Sequence, residues 1–171
     1  MTTIRNETTI RRAPNDVYDF VTTPANWPRW HPSSLAVSGD DATHSLELGD
    51  RCVEEYVVAG RRGRAEWVCR ERVTGRTWTI EGAPEGGGRG TIRYDVAPAD
   101  DGTRFVRTLR YEMPNALLAL LDALVIRRRV AAESAEALAR LRTLLEAPIP
   151  AEPPSTPAVE AMPSATRSGR D

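Results

Sequence analysis

"GTIRYDVAPADDGTRFVRTLRYEM", residues 90–113, decides the fold. Two alternating runs flank a short turn of Pro, Asp and Gly. Ile92, Tyr94 and Val96 alternate with Arg93 and Asp95. Phe105, Leu109 and Tyr111 alternate with Arg104, Thr108 and Arg110. Successive side chains of a strand point to opposite faces, so each run has one apolar and one solvent face. The pair predicts an antiparallel hairpin. A turn centred between Asp100 and Asp101 sets Tyr94 against Arg107, Val96 against Phe105 and Ile92 against Leu109.

The same signal recurs upstream. Residues 50–59, "DRCVEEYVVA", and 64–73, "RAEWVCRERV", flank a turn at "GRRG". Residues 76–83, "RTWTIEGA", follow a "TG" turn. A first turn centred between Gly60 and Arg61 sets Cys52 against Cys69, Glu54 against Trp67 and Tyr56 against Ala65. Alternation then predicts one inward row: Cys52, Glu54, Tyr56 and Val58; Ala65, Trp67, Cys69 and Glu71; Trp78 and Ile80; Ile92, Tyr94 and Val96; Phe105, Arg107, Leu109 and Tyr111. Arg70, Arg72, Thr77, Thr79, Arg93, Asp95, Arg104, Thr108 and Arg110 form the outward row. The glycine run "EGGGRG" lacks the following helix that a phosphate cradle requires, and reads as a hairpin connection.

Around these strands the periodicity changes. "TTIRNETTIRR" alternates well enough for a first strand, with Ile4 and Ile10 on one face. "APNDVYDFVTT" reads as a short helix opened by Pro14, with Val17, Phe20 and Val21 on one side. "PANWPRWHPSS", residues 24–34, reads as a second short helical piece, started by Pro24 and stopped by Pro32. Trp27 and Trp30 share its face and close one end of the sheet, with His31 at the rim. A weak strand follows near Leu35 to Val37. Residues 115–146, "NALLALLDALVIRRRVAAESAEALARLRTLLE", contain no Gly or Pro. Leu117, Leu121, Leu124, Ala131, Leu138, Leu141 and Leu145 recur at helical spacing, and Asn115 is a plausible cap. From residue 148 the chain is rich in Pro and poor in large apolar side chains. It predicts a disordered tail, 148–171, after a domain of 1–147.

Bulk properties exclude several classes. The formal charge is −1, so no general attraction to nucleic acid follows. All basic residues are Arg, which reads as coding bias. No stretch is long and apolar enough to span a bilayer, and the N-terminus lacks a signal-peptide core, so a cytoplasmic location is expected. Cys52 and Cys69 are too few for a disulfide framework and read as reduced, buried small hydrophobes. His31 and His44 have no metal-ligand spacing, so no metal or other cofactor is expected. Asp16 and Asp19 read as solvated helix charges.

A curved antiparallel sheet of six or seven strands, wrapped around a long C-terminal helix, satisfies this element order. The fold class is α+β, with two short helices after the first strand. At this point the chain resembles a known family. "IRRAPNDVYDFV", then Trp27, Pro28 and Trp30, then a closing helix ending "LARLRTLLE", are similar to the START-related polyketide cyclase superfamily, SRPBCC, over about residues 3–146. That resemblance implies the helix-grip fold, shared with the birch pollen allergen. It fixes no catalytic residue, because the superfamily mixes carriers, cyclases and dehydratases.

One helix cannot fill so large a sheet, so the interior holds packed side chains or a cavity. An apolar pocket with a few convergent polar groups is the usual form of a small-molecule site. The expected lining is Trp30, Tyr56, Trp67, Trp78, Tyr94, Phe105, Leu109 and Tyr111. Glu54, Glu71 and Arg107 interrupt the apolar row, and Tyr94 opposite Arg107 can stack on its guanidinium. The leading function is binding of a small hydrophobic or aromatic molecule of polyketide, lipid or isoprenoid type. The alternative is a cyclase, aromatase or dehydratase in which Arg107 polarises a carbonyl and Glu54 moves protons. A third reading is a protein-interaction adaptor. The sequence sets no oligomeric state.

Overall fold

A computed structural model of the chain describes residues 1–58, 60–115 and 125–148. The described elements are strand β1 (Thr2–Ile10), helix α1 (Pro14–Thr22), a 3₁₀ turn (Pro24–Asn26), helix α2 (Trp27–Trp30), β2 (Ser34–Ser38) and a second 3₁₀ turn (Asp40–Thr43). Then come β3 (Arg51–Val58), β4 (Arg61–Val73), β5 (Thr77–Pro84), β6 (Arg89–Ala99), β7 (Gly102–Glu112) and helix α3 (Arg127–Glu146). Seven antiparallel strands form one sheet in the order β1-β7-β6-β5-β4-β3-β2. This is the antiparallel sheet with a C-terminal helix expected from the element order, and the helix-grip fold that the resemblance implies.

The β6–β7 hairpin has the expected register: Tyr94 pairs with Arg107, Val96 with Phe105 and Ile92 with Leu109. The β3–β4 hairpin differs. Cys52 pairs with Trp67, Glu54 with Ala65 and Tyr56 with Gly63. The turn is tighter than "GRRG": Val58 already pairs with Arg61, and Gly60 lies at φ +79°. The register moves by two residues, a whole side-chain period, so every residue keeps its face.

A β-bulge corrects the reading of β4. Pairing shifts between Cys69 and Glu71, where two residues of β4 oppose one step of β5. Glu71 therefore points outward, where it pairs with Arg93 at 2.7 Å and accepts from Thr79 Oγ1 at 3.0 Å. Arg72, expected on the solvent face, turns inward opposite Trp78. It donates to the carbonyls of Ser45 and Leu46 at 3.0 and 3.1 Å and lies over the Tyr18 ring.

Helix α3 lays Ser134, Ala137, Leu138 and Leu141 against the sheet. Its C-terminal end is held by β1 and the turn after it. Arg11 N and Nη2 donate to the Glu146 carboxylate, and Arg12 donates to the carbonyls of Leu145 and Ala147. Cations at the C-terminus of a helix satisfy its free carbonyls and complement its dipole. Asn115 sits in a bend. The expected first turns, with Leu117, Leu121 and Leu124, lie outside the described residues, as does the Pro-rich tail beyond Pro148.

The core runs between α1, α2 and the middle strands. Tyr18, Val17, Val21, Trp30, Trp78, Phe105 and Ile80 are all within 1% of complete burial. Trp78 stacks on Tyr94 at 5.1 Å and meets Trp27 edge-on at 6.2 Å, so the expected Tyr94–Arg107 stack gives way to ring-on-ring packing. Among the described residues no helix is long and apolar enough to cross a membrane.

Candidate functional site

Between the sheet and α3 lies a cavity of about 370 Å³. Its size falls in the ordinary range for small-molecule pockets, about 300–1,000 Å³. Of the expected lining residues, the cavity wall contains Trp30, Tyr56, Trp67, Tyr94, Leu109 and Tyr111, with Glu54 and Arg107 among them. Trp78 and Phe105 are corrected: both are 0% exposed and sit in the solid core behind Tyr94. They are inward-facing, yet the short helices α1 and α2 cover that end of the sheet. The cavity lies beyond them, with Trp30 of α2 in its wall.

The wall is shaped by glycines in neighbouring strands. Trp67 lies flat over Gly82 of β5 and reaches Gly90 of β6; a Cβ at Gly82 would overlap the indole, and one at Gly90 would touch it at 3.5 Å. Tyr56 likewise covers Gly63, where a Cβ would come within 2.7 Å of the ring. Glycine inside a strand marks such close approaches. This notch was readable in principle from the glycines at 82 and 90. The hairpin pattern alone drew no attention to them.

The polar groups gather at the buried end. Trp67 Nε1 donates to Glu54 Oε2 at 2.8 Å. Arg107, 4% exposed, donates from Nη1 to Ser134 Oγ on α3 at 3.0 Å, while its Nε has no partner. Burial pushes the Glu54 carboxyl up, against the pull of Ser34, Trp67 and Arg107. Part of its surface faces the cavity, but protein surrounds it on every other side. Burial raises the Tyr94 phenol to about 12, although Arg107 beside it acts in the opposite sense.

His31 lies deeper than the rim position expected for it. It lines the cavity, both ring nitrogens are buried without a partner, and its ring meets Trp30 at 5.6 Å. Burial, helped by the Arg107 charge, holds its pKa well below 6.5, so it is neutral at pH 7. The segment also has a holding role: Trp27 Nε1 donates to Val21 O at 2.9 Å, and Ser33 Oγ donates to Glu133 Oε2 of α3 at 2.7 Å. Missed by the sequence reading were Ser33, Glu133 and Ser134, because α3 carries no signal that says which face meets which strand.

At the other end the wall includes exposed Arg61, Arg62 and Arg89 with Gly86 and Gly87, which marks the opening. The "EGGGRG" connection is thus part of the mouth. Cys52 and Cys69 are free and buried, Cys52 pushed up to about 12 by burial and by Glu54. Away from the cavity, Asp41, His44 and Asp50 bring ligand-type atoms within 4.8 Å of one another. Asp50 already accepts from Glu47 N and contacts His44, and Asp41 accepts from Arg51 N, so the cluster holds its own loop.

A curled antiparallel sheet gripping a C-terminal helix over an apolar cavity defines a helix-grip domain. The chain belongs to the family described as polyketide cyclase / dehydrase and lipid transport, which matches residues 1–146. The fold is similar to that of protein CV1439 from Chromobacterium violaceum, at 18% identity and a TM-score of 0.66, covering 85% of this chain and 98% of that one. DynU16, a protein of the dynemicin biosynthetic locus, is similar at 10% identity and a TM-score of 0.61, over 84% of this chain and 47% of the other. Aha1 from Colwellia psychrerythraea is similar at 17% identity and a TM-score of 0.56, over 85% and 97% of the two chains. No curated protein matches the sequence.

Proposed function

We propose that the protein takes up a small hydrophobic or aromatic molecule, of polyketide, lipid or isoprenoid type, in this cavity. The observation that carries the reading is the cavity itself: about 370 Å³ walled by Trp30, Tyr56, Trp67, Tyr94, Leu109 and Tyr111. Aromatic walls give large contact area at small entropic cost. Arg107 and Glu54, at the buried end, orient a polar group of the ligand. The family description supports a hydrophobic ligand. We place the activity in the cytoplasm, where Cys52 and Cys69 stay reduced. Native mass spectrometry of protein purified without detergent tests the reading. A non-covalent adduct released by organic solvent is expected; a bare chain that also fails to take up apolar probes would overturn it.

A second reading, a cyclase or dehydratase, is favoured by one observation: the Glu54 carboxyl and the buried Arg107 guanidinium line the same cavity, where burial pushes the carboxyl up. Arg107 would polarise an enolising carbonyl and Glu54 would transfer the proton. A surrogate triketide should then cyclise with wild type and not with Glu54→Gln. The adaptor reading is the weakest of the three, since it would suit an interior filled by side chains.

A further inference from the structure

The closed end of the cavity carries a charge imbalance. Arg107 is 4% exposed and bonded to a neutral hydroxyl, that of Ser134; it has no ion-pair partner among the described residues. Asn6, its directly opposite neighbour on β1, offers an unpartnered amide oxygen, which does not offset a charge. Among the described residues three carboxyls line the cavity, and none forms an ion pair with Arg107. Glu112 is exposed. Glu133 accepts from Ser33 Oγ and pairs with Arg129. Glu54 accepts from Trp67, and its burial favours the neutral acid. Tyr94 and His31 also face this end, and both stay neutral at pH 7. Two more cavity-lining side chains have unpartnered polar atoms: Trp30 at Nε1 and His31 at both ring nitrogens.

A buried, uncompensated cation is costly, and relief of that cost favours a ligand that brings the opposite charge. We propose that the cavity selects an apolar monoanion: a ring system or chain whose single carboxylate, enolate or phenolate oxygen seats against Arg107. The aromatic wall receives the body of the molecule, and the charged end enters first. This rests on the ligand-binding reading above and adds the charge of the ligand to it. It also separates Arg107 from the arginines of the mouth. Arg61, Arg62 and Arg89 are exposed and attract any anion, but salt screens them.

Calorimetric titration of the full chain with 2-naphthoate and with 2-naphthamide tests the proposal, because the two differ in charge and share a ring system. Wild type is expected to bind the acid at least about tenfold more tightly than the amide. That preference should survive about 0.5 M NaCl, where surface charges are screened within about 4 Å. Arg107→Gln should abolish the preference; Arg61→Gln should leave it intact. Equal binding of acid and amide by wild type, or a preference that persists in Arg107→Gln, would overturn the proposal. The wild-type comparison decides even if Arg107→Gln does not fold. Failure of both compounds to bind wild type would overturn the ligand-binding reading, and this proposal with it.

Discussion

Replacing Glu54 by Gln should make the protein more stable, and by more as the pH rises. Gln keeps the shape of the neutral acid and can still accept from Trp67 Nε1, which sits 2.8 Å from Glu54 Oε2. The sign follows from the raised pKa. Below the ordinary value of 4.5, folded and unfolded chains both carry the proton, and wild type and variant should agree within about 1 kcal/mol. Above 4.5 the unfolded chain releases its proton while the folded chain retains it, so wild-type stability falls as pH rises. The loss accrues at up to about 1.4 kcal/mol per pH unit until the folded pKa is passed, then levels off. Glu54→Gln lacks this loss. Urea unfolding of both proteins from pH 4 to 8 gives the difference curve, in which other titrating groups largely cancel. The curve should be near zero at acid pH, rise in favour of Gln, and reach a plateau whose onset reports the folded pKa. A flat difference, or one that favours wild type at pH 7, would refute the burial argument for Glu54.

Other expectations follow from the same packing. His31 has a depressed pKa, so wild type should lose stability as pH falls below 6.5, and His31→Gln should lose less over that range in thermal unfolding. Gly82→Ala should push the Trp67 indole into the cavity and cost about 1–3 kcal/mol, with a shifted tryptophan emission maximum; unchanged emission and stability would mean Trp67 does not lie on Gly82. Cys52, buried and pushed up to about 12, should resist iodoacetamide at pH 8 in the folded protein and react once urea unfolds it.

Most of the sheet was legible because strand alternation repeats over five consecutive strands, β3 to β7. A two-residue register change between β3 and β4 left the face assignment intact, since two is the side-chain period. The one-residue bulge after Cys69 did not. It exchanged the roles of Glu71 and Arg72, and nothing in the local pattern of alternating charge announces a bulge. The aromatic wall was legible for the same reason as the sheet: Tyr56, Trp67, Tyr94, Leu109 and Tyr111 lie on its inward face. Whether an inward residue meets cavity or core depends on what covers it. Trp78 and Phe105 lie under α1 and α2, a long-range fact the strand pattern does not contain. Ser134 and Glu133 were missed because their roles depend on how α3 is rotated against β7 and the Ser33 loop. The sequence sets His31 at the rim because the Trp27 and Trp30 face reads as closing one end of the sheet. Its burial comes from Trp30 on one side and the cavity wall on the other.

The central claim is that the cavity is a binding site rather than a packing fault. Fluorescence titration with N-phenyl-1-naphthylamine, a neutral probe that brightens in dry surroundings, tests this on wild type and on Leu109→Trp. Leu109 lines the cavity and is only half-buried, so the larger ring has room to enter and fill the space. Saturable binding by wild type, lost in a folded Leu109→Trp, is the predicted result. No binding by wild type, or equal binding by both, would contradict it.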